Sequence, residues 1–338
     1  MILISFGTRP EYIKIKPLLD AFKGNIEYRL LFTGQHQDLL RHLEDDNLER
    51  LSIETSKNRL DAIVSSILSQ ERSPSFKDVT HVLVQGDTTS AFAVALSGFH
   101  RKLRVIHLEA GLRTYDLENP YPEEFNRQAI SRLANINLCP TELSAKNLKA
   151  EMVPGEIHIV GNTVLDNLVS IKPQRGNHIV ITMHRRENHD IMDKWFNALD
   201  TIAGQYPDLE FILPIHPNPS VYRLRDTLKH VKVVEPMEYE EFTKLLSTSR
   251  FVITDSGGLQ EESSFFRKKC VVCRKTTERV EGMGVFSKLC ASPEHLKEAF
   301  EWAHEVPTPD VSVPCPYGDG TAAQKIAEIL RVDIMRLS

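Results

Sequence analysis

The stretch Ile2-Leu3-Ile4-Ser5-Phe6-Gly7-Thr8-Arg9-Pro10-Glu11-Tyr12-Ile13-Lys14 decides the fold. An apolar run of strand length is followed by Gly7, which permits a tight turn, and by Pro10, which suits the first position of a helix. Arg9 thereby falls at the mouth of a strand-to-helix turn. A guanidinium beside a helix N-terminus is a good clamp for a diphosphate, and Lys14 comes about one turn further on. A solvated arginine near an ordinary cap is the plainer reading of the same residue.

The strand-turn-helix unit recurs outward from there. Runs rich in β-branched residues occur at Tyr28 to Phe32, His81 to Val84, Arg104 to Leu108 and Ile136 to Leu138, each followed by a polar turn and a segment of helical spacing. This alternation predicts a parallel α/β sheet. A second series follows: Ile157 to Val160 precedes a helical stretch at Thr163 to Ile171. Fresh strands are expected at Ile179 to Thr182, Glu210 to Leu213, Lys232 to Val234, Phe251 to Thr254 and Cys270 to Cys273. Between the two series Pro173-Gln174-Arg175-Gly176-Asn177 carries the strongest breaker signal, so the hinge is placed there. A chain of 338 residues exceeds what one core usually organises, and two domains are expected, 1–172 and 173–320. The helix expected over Ile191 to Ala203 puts Ile191, Trp195, Leu199 and Ile202 on one face and reads as scaffold.

Composition excludes several classes of protein. Hydrophobic residues at 41% and charged residues at 26% are ordinary for a globular chain, and a formal net charge of -5 with both signs interspersed presents no broad basic face for nucleic acid or a membrane surface. Five cysteines at irregular spacing do not form a secretory disulfide framework, which favours the cytoplasm. Cys270 and Cys273 lie in an apolar run and read as core residues rather than zinc ligands. Met1 to Phe6 run straight into a strand, so no leader is expected, and no apolar stretch is long enough for a membrane span.

In open parallel sheets ligands bind beyond the carboxyl ends of strands, so the residues after each strand are the candidates. Asp87 follows the strand at His81 to Val84, Glu109 and Arg113 follow Arg104 to Leu108, and Glu123 and Glu124 come after Pro122. Each has a plainer role available: Asp87 as an N-cap, Glu109 paired with Arg113, Glu123 and Glu124 in a first helical turn. Carboxylates converging at strand ends would instead repel one another and tune a proton donor or acceptor. Farther along, His184, Arg185 and Arg186 follow a strand, and His216 follows another between prolines. Any of these cations could face phosphate.

Thr254-Asp255-Ser256-Gly257-Gly258-Leu259-Gln260-Glu261-Glu262 is the most informative segment, reading as strand, two glycines and helix start. Paired glycines allow close backbone approach, and exposed N–H groups at a helix start bind anions without a lysine. Glu262, about one turn on, is placed to hydrogen-bond ribose hydroxyls. The chain lacks a Gly-x-Gly-x-x-Gly after its first strand, a Walker loop, His-Glu-x-x-His and Gly-x-Ser-x-Gly, which removes the footing of dehydrogenase, P-loop, metalloprotease and α/β-hydrolase readings.

These segments, in this order, resemble the non-hydrolysing UDP-N-acetylglucosamine 2-epimerases. The resemblance rests on Gly7-Thr8-Arg9-Pro10-Glu11, Gly34-Gln35-His36, Gln85-Gly86-Asp87-Thr88, Glu109-Ala110-Gly111-Leu112-Arg113 and Pro122-Glu123-Glu124. It continues through His184-Arg185-Arg186-Glu187, Asp255-Ser256-Gly257-Gly258 to Glu262, Thr277-Glu278-Arg279 and Pro316-Tyr317-Gly318-Asp319-Gly320. It implies a GT-B fold, two Rossmann-like doubly wound domains with the active site in the interdomain cleft and a C-terminal helix, 321–338, completing the first domain. By the same likeness Asp87, Glu109, Glu123 and His184 belong to the chemistry. Arg9, Lys14, Ser256, Gly257, Gly258, Glu262 and Arg279 belong to UDP-sugar binding, and Arg113, Arg185 and His216 join them as candidate contacts from their places after strands. No metal or cofactor is implied, and a homodimer is.

The chemistry such an enzyme faces is hard. The carbon 2 hydrogen of a UDP-sugar has no adjacent carbonyl, so it becomes acidic only as the carbon 1 to oxygen bond breaks and an oxocarbenium ion develops. Stabilising departing UDP is then an electrostatic task, and two acid/base groups must serve the two faces of the resulting glycal. The expected reaction interconverts UDP-GlcNAc and UDP-ManNAc. The alternatives are a 2-epimerase for a deoxy or diacetamido UDP-sugar, a hydrolysing epimerase and a GT-B glycosyltransferase.

Overall fold

A computed structural model describes residues 1–34, 47–53, 56–69 and 76–337. The chain divides into two compact units, Met1–Asn167 with Gly320–Ser338, and Leu168–Asp319.

In the first unit the strands are β1 (Ile2–Phe6), β2 (Tyr28–Phe32), β3 (Leu48–Arg50), β4 (His81–Gln85), β5 (Arg104–Leu108), β6 (Ile136–Cys139) and β7 (Glu156–Ile159). Helices α1 (Arg9–Phe22), α2 (Arg59–Leu68), α3 (Thr89–His100), α4 (Glu123–Leu133) and α5 (Glu142–Ala150) alternate with them. All pairings are parallel, in the order β3-β2-β1-β4-β5-β6-β7. The period of two along β1 explains the layering. Ile2, Ile4 and Phe6 pack with Ile15, Leu18 and Phe22, while Leu3 joins Val82, Val84, Ile63 and Val94 on the opposite face. Each such side chain, fully buried, contributes about 1.5–3 kcal/mol.

The second unit holds β8 (His178–Thr182), α6 (Met192–Gln205), β9 (Glu210–Pro214), α7 (Pro219–Tyr222), β10 (Lys232–Val234), α8 (Tyr239–Thr248), β11 (Phe251–Thr254), α9 (Gly257–Phe265), β12 (Cys270–Val272), β13 (Ser287–Leu289) and α10 (Leu296–Glu305). Its sheet is likewise parallel, in the order β10-β9-β8-β11-β12-β13. Trp195, Leu199 and Ile202 bury the face of α6 expected from the sequence, against Phe211, Phe251 and Phe300. Helix α11 (Ala322–Leu337) belongs to the first unit, where Ile326 and Leu330 enter the same cluster as α1.

The helical stretch expected over Thr163 to Ile171 is a 3₁₀ helix, Thr163–Leu168, that ends three residues earlier. Its polar side chains are drawn into tertiary bonds: Asp166 accepts the N–H groups of Ala322 and Ala323, capping α11, and Asn167 donates to the carbonyl of Ile13. Among the described residues no helix is long and apolar enough to cross a membrane.

Both sheets reverse direction of winding at one place, between β1 and β4 in the first unit and between β8 and β11 in the second. Loops leaving neighbouring strands diverge there, which opens a crevice at the carboxyl ends.

Candidate active site

At the switch point of the first unit, the loops after β1 and β4 are joined by Glu11. This buried carboxylate accepts the N–H of Gly7 at 2.9 Å, the hydroxyl of Thr8 at 2.8 Å and the hydroxyl of Thr88 at 2.7 Å. Thr8 caps α1 and Thr88 caps α3, so one side chain couples two helix starts. Burial raises the affinity of Glu11 for a proton, and the three donors oppose it. Arg9 occupies the first position of α1, half-buried, beside this junction.

Asp87 does not cap α3, since Thr88 does so through the N–H of Ala91. Its carboxylate instead accepts from Nη2 of Arg127 at 2.5 Å, and its carbonyl accepts from Nδ2 of Asn126 at 2.9 Å. Both partners stand on α4, the helix whose first residue is Glu123. Asp87 and the N-terminal turn of α4 are thus one rigid assembly. Glu124 plays a structural part in it: wholly buried, it accepts the N–H groups of Thr114 and Tyr115 and pairs with Arg127 at 3.3 Å.

Glu109 leaves β5 with φ of +66°, a conformation rarely adopted by a residue with a side chain. Strain of this kind persists where the surroundings over-determine it and clusters at functional sites. Here the surroundings are donors. Lys14 Nζ lies 2.5 Å from Oε2, Gln85 Nε2 donates to the same oxygen, and Asn162 Nδ2 reaches Oε1 at 3.4 Å. Beneath them His107 donates from Nε2 to the carbonyl of Gly86 at 2.8 Å. Burial pushes this imidazole down to about 4, so it is neutral at pH 7. Gly86, at φ of +67°, makes the turn that carries the chain from the strand to Asp87.

Arg113 reads differently from its sequence expectation as a substrate contact. Its guanidinium is wholly buried, bidentate to Glu151 at 2.7 and 2.9 Å, and donates to Ser131 and to the carbonyl of Leu112. Those commitments make it a packing cation. Arg127 and Asn126, absent from the candidates the sequence offers, are the residues that hold Asp87. Their signal was present as the spacing from Glu123 to Arg127, one helical turn on one face.

At the switch point of the second unit Asp255 is wholly buried and accepts the N–H of His184 at 2.9 Å, the N–H of Arg185 at 2.8 Å and Nδ2 of Asn188 at 3.1 Å. His184 Nδ1 lies 3.3 Å from the same carboxylate, and its ring stacks on His216 with centroids 5.3 Å apart. Burial lowers the affinity of both imidazoles for a proton, while Asp255 raises it.

The turn after β11 opens α9. Ser256 occupies the N-cap position without a side-chain bond to the helix, and its N–H donates to Thr254 Oγ1 at 2.9 Å. A Cβ on Gly257 would lie 2.6 Å from Nη1 of Arg279, whereas one on Gly258 would meet nothing within 4 Å. A guanidinium therefore rests against the helix start, oriented by Glu261 at 2.6 Å and by Glu278. The helix start has the polarity that favours an anion, while the charge of Arg279 beside it is matched by Glu261 and Glu278. Glu262, one turn along, accepts from the Tyr239 hydroxyl at 3.3 Å, and burial keeps that phenol protonated. Within the motif Gly34-Gln35-His36, residues from Gln35 onward lie outside the described residues.

Two doubly wound units, one with carboxylates and the other with a paired-glycine turn opening a helix at its switch point, define the class of two-domain α/β enzymes that act on nucleotide-linked substrates. Comparison with known proteins narrows the class. The family model of UDP-N-acetylglucosamine 2-epimerase matches residues 20–331. Curated proteins of that name from Campylobacter jejuni and Neisseria meningitidis are 35% and 36% identical, each over 97% of this chain and 97% and 98% of their own lengths. The crystal structure of the Neisseria meningitidis UDP-GlcNAc 2-epimerase bound to UDP-GlcNAc superposes with a TM-score of 0.86 at 34% identity, covering 97% of this chain and 99% of that one. The Methanocaldococcus jannaschii UDP-GlcNAc 2-epimerase in complex with UDP-GlcNAc and UDP gives 0.82 at 29% identity, over 98% and 99%. The chain belongs to the UDP-N-acetylglucosamine 2-epimerase family, whose members are isomerases of the GT-B-like fold.

Proposed function

We propose that this protein interconverts UDP-N-acetylglucosamine and UDP-N-acetylmannosamine by reversible elimination of UDP. The observation that carries this reading is the opposite chemistry of the two switch points. In the first unit Asp87 and Glu109 are fixed carboxylates, and in the second the start of α9, with the side chain of Arg279 against it, offers a seat for an anion. A nucleotide binder has no use for extra acids, whereas an elimination needs both.

In the proposed cycle the diphosphate is held by the hydroxyl of Ser256 and the N–H groups of Gly257 and Gly258, with Arg279, His184, Arg185 and Arg9 contributing charge, and Glu262 receives ribose hydroxyls. The carbon 1 to oxygen bond breaks with its electron pair passing to the diphosphate, and a carboxylate among Asp87, Glu109 and Glu123 takes the proton from carbon 2. A second acid delivers a proton to the opposite face of the 2-acetamidoglucal, and UDP re-adds. Lys14 serves this cycle through Glu109, on which its ammonium rests.

Proton NMR of UDP-GlcNAc with the protein in deuterated buffer tests the proposal. Deuterium at carbon 2 together with UDP-ManNAc supports it; accumulating UDP and free N-acetylmannosamine would mark a hydrolysing enzyme, and sugar transfer without exchange a glycosyltransferase. The reading carries with it a cytoplasmic homodimer. Exposed Tyr115, Leu117, Tyr121 and Phe125 offer apolar surface of the kind a second copy covers, and sedimentation velocity measures the association.

A further inference from the structure

We propose that Asp255 is a positioning residue that fixes the tautomer of His184, holding the proton on Nδ1 and reserving Nε2 for the diphosphate oxygen from which carbon 1 separates. The proposal rests on the epimerase reading above, and its geometry stands within the second unit alone. Asp255 sits at the end of β11, wholly buried, and the loop after β8 folds around it. Two successive backbone N–H groups, those of His184 and Arg185, point at its oxygens, and Asn188 supplies a third donor. Asn188 is itself locked, donating to the carbonyl of Cys273 at 3.0 Å and accepting from Trp195 Nε1 at 3.2 Å. The carboxylate therefore has little freedom to leave the ring it faces at 3.3 Å.

An ionised carboxylate only accepts, so across this 3.3 Å ion pair the ring form that Asp255 favours is the one carrying a hydrogen on Nδ1. With Nδ1 so occupied, the neutral ring has its lone pair on Nε2. Once protonated, it has an N–H there to donate. During elimination the electron pair of the carbon 1 to oxygen bond passes to the diphosphate, and the Nε2–H of the imidazolium donates to that oxygen without leaving nitrogen. The carbon 2 proton goes to a carboxylate of the first unit, so protons balance. The groups facing His184 are Asp255, which favours the imidazolium, and Arg185, His216 and His189, which oppose it; burial of the ring opposes it as well. His189 also bonds the carbonyl of His184 at 3.1 Å, which fixes the backbone under the ring.

The experiment is nitrogen-15 NMR of the histidine rings with kcat against pH, on the full chain and on Asp255→Asn. The wild-type His184 ring is expected as the Nδ1–H tautomer. In Asp255→Asn the amide nitrogen can donate to Nδ1, and the ring is expected to turn to the Nε2–H form. The alkaline limb of kcat, where the imidazolium is lost, should move about one unit or more toward lower pH, because an opposite charge has been removed. In a His184→Asn background the same Asp255 change should move no limb. A purely structural Asp255 would lower the melting temperature and kcat at every pH without displacing the limb, and that outcome overturns the proposal. So does a wild-type ring found as Nε2–H, a reading that needs no variant and stands even where Asp255→Asn fails to fold. If the wild type exchanges no deuterium into carbon 2, the epimerase reading fails, while the tautomer spectrum still decides the role of Asp255.

Discussion

Lys14 and Glu109, distant in sequence, meet with Nζ 2.5 Å from Oε2, and the carboxylate they share with Gln85 and Asn162 stands on a backbone of positive φ. Glu109→Gln keeps the shape but loses the charge, and an amide cannot take a proton from carbon 2. Its rate is expected to fall at least about a hundredfold. UDP affinity, measured by calorimetry, should stay within about threefold, because the anion seat lies on α9. Lys14→Met leaves the acid but releases it, and a rate loss of similar order is expected without rescue by added salt. A Lys14→Met protein of full activity would remove the ammonium from the mechanism.

Asp87 and Arg127 separate chemistry from stability. Asp87→Asn can still accept from Arg127 through its amide oxygen, so the melting temperature should change little while carbon 2 exchange falls at least about a hundredfold. Arg127→Met strands buried Glu124 and frees Asp87. Removing one partner of a buried pair typically costs about 3–5 kcal/mol, so this variant should lose both stability and activity. Thermal melts read alongside exchange rates distinguish the two patterns.

The neighbouring glycines of α9 make a sharper comparison. Gly257→Ala drives a methyl against Nη1 of Arg279, whereas Gly258→Ala meets open space. The first should displace the guanidinium and weaken UDP binding about tenfold or more, with a lowered melting temperature. The second should melt normally, and it should weaken UDP only if the diphosphate occupies the space beside Gly258. Wild-type UDP affinity in both variants would move the anion seat away from this turn.

The fold was legible where strands are buried on both faces, because Ile2–Phe6 or Phe251–Thr254 must be almost entirely apolar to lie between helical layers, with Ser5 and Thr254 the exceptions. Short edge strands were not. Leu48–Arg50 and Ser287–Leu289 have too few buried positions to leave a pattern, and their pairing is dictated by the strand already in place. At the site, the position of a residue after a strand could be read, but its partner could not. Closeness in the chain pairs Glu109 with Arg113. In the structure Glu109 takes Lys14, and Arg113 takes Glu151 from the end of α5. Partner choice in a parallel sheet depends on strand order, which brings β1 beside β4 and β5 next to β6, and no local spacing encodes it.

His107 couples this geometry to pH. Its ring is wholly buried under Gly86, and burial holds it at about 4 against an ordinary value of 6.5. Below 6.5 the unfolded chain binds a proton that the native ring refuses, so stability is complete above that pH and declines as pH falls toward 4. The loss over this window is about 3 kcal/mol. His107→Gln keeps an N–H able to reach the carbonyl of Gly86 and carries no titrating group. Urea melts of the two proteins between pH 4 and 7.5 should therefore give a steeper fall for the wild type and a shallower one for the variant, the other titrating groups being common to both. Parallel curves would mean that the native ring takes up its proton as readily as the unfolded one, and that burial does not hold it neutral under Gly86.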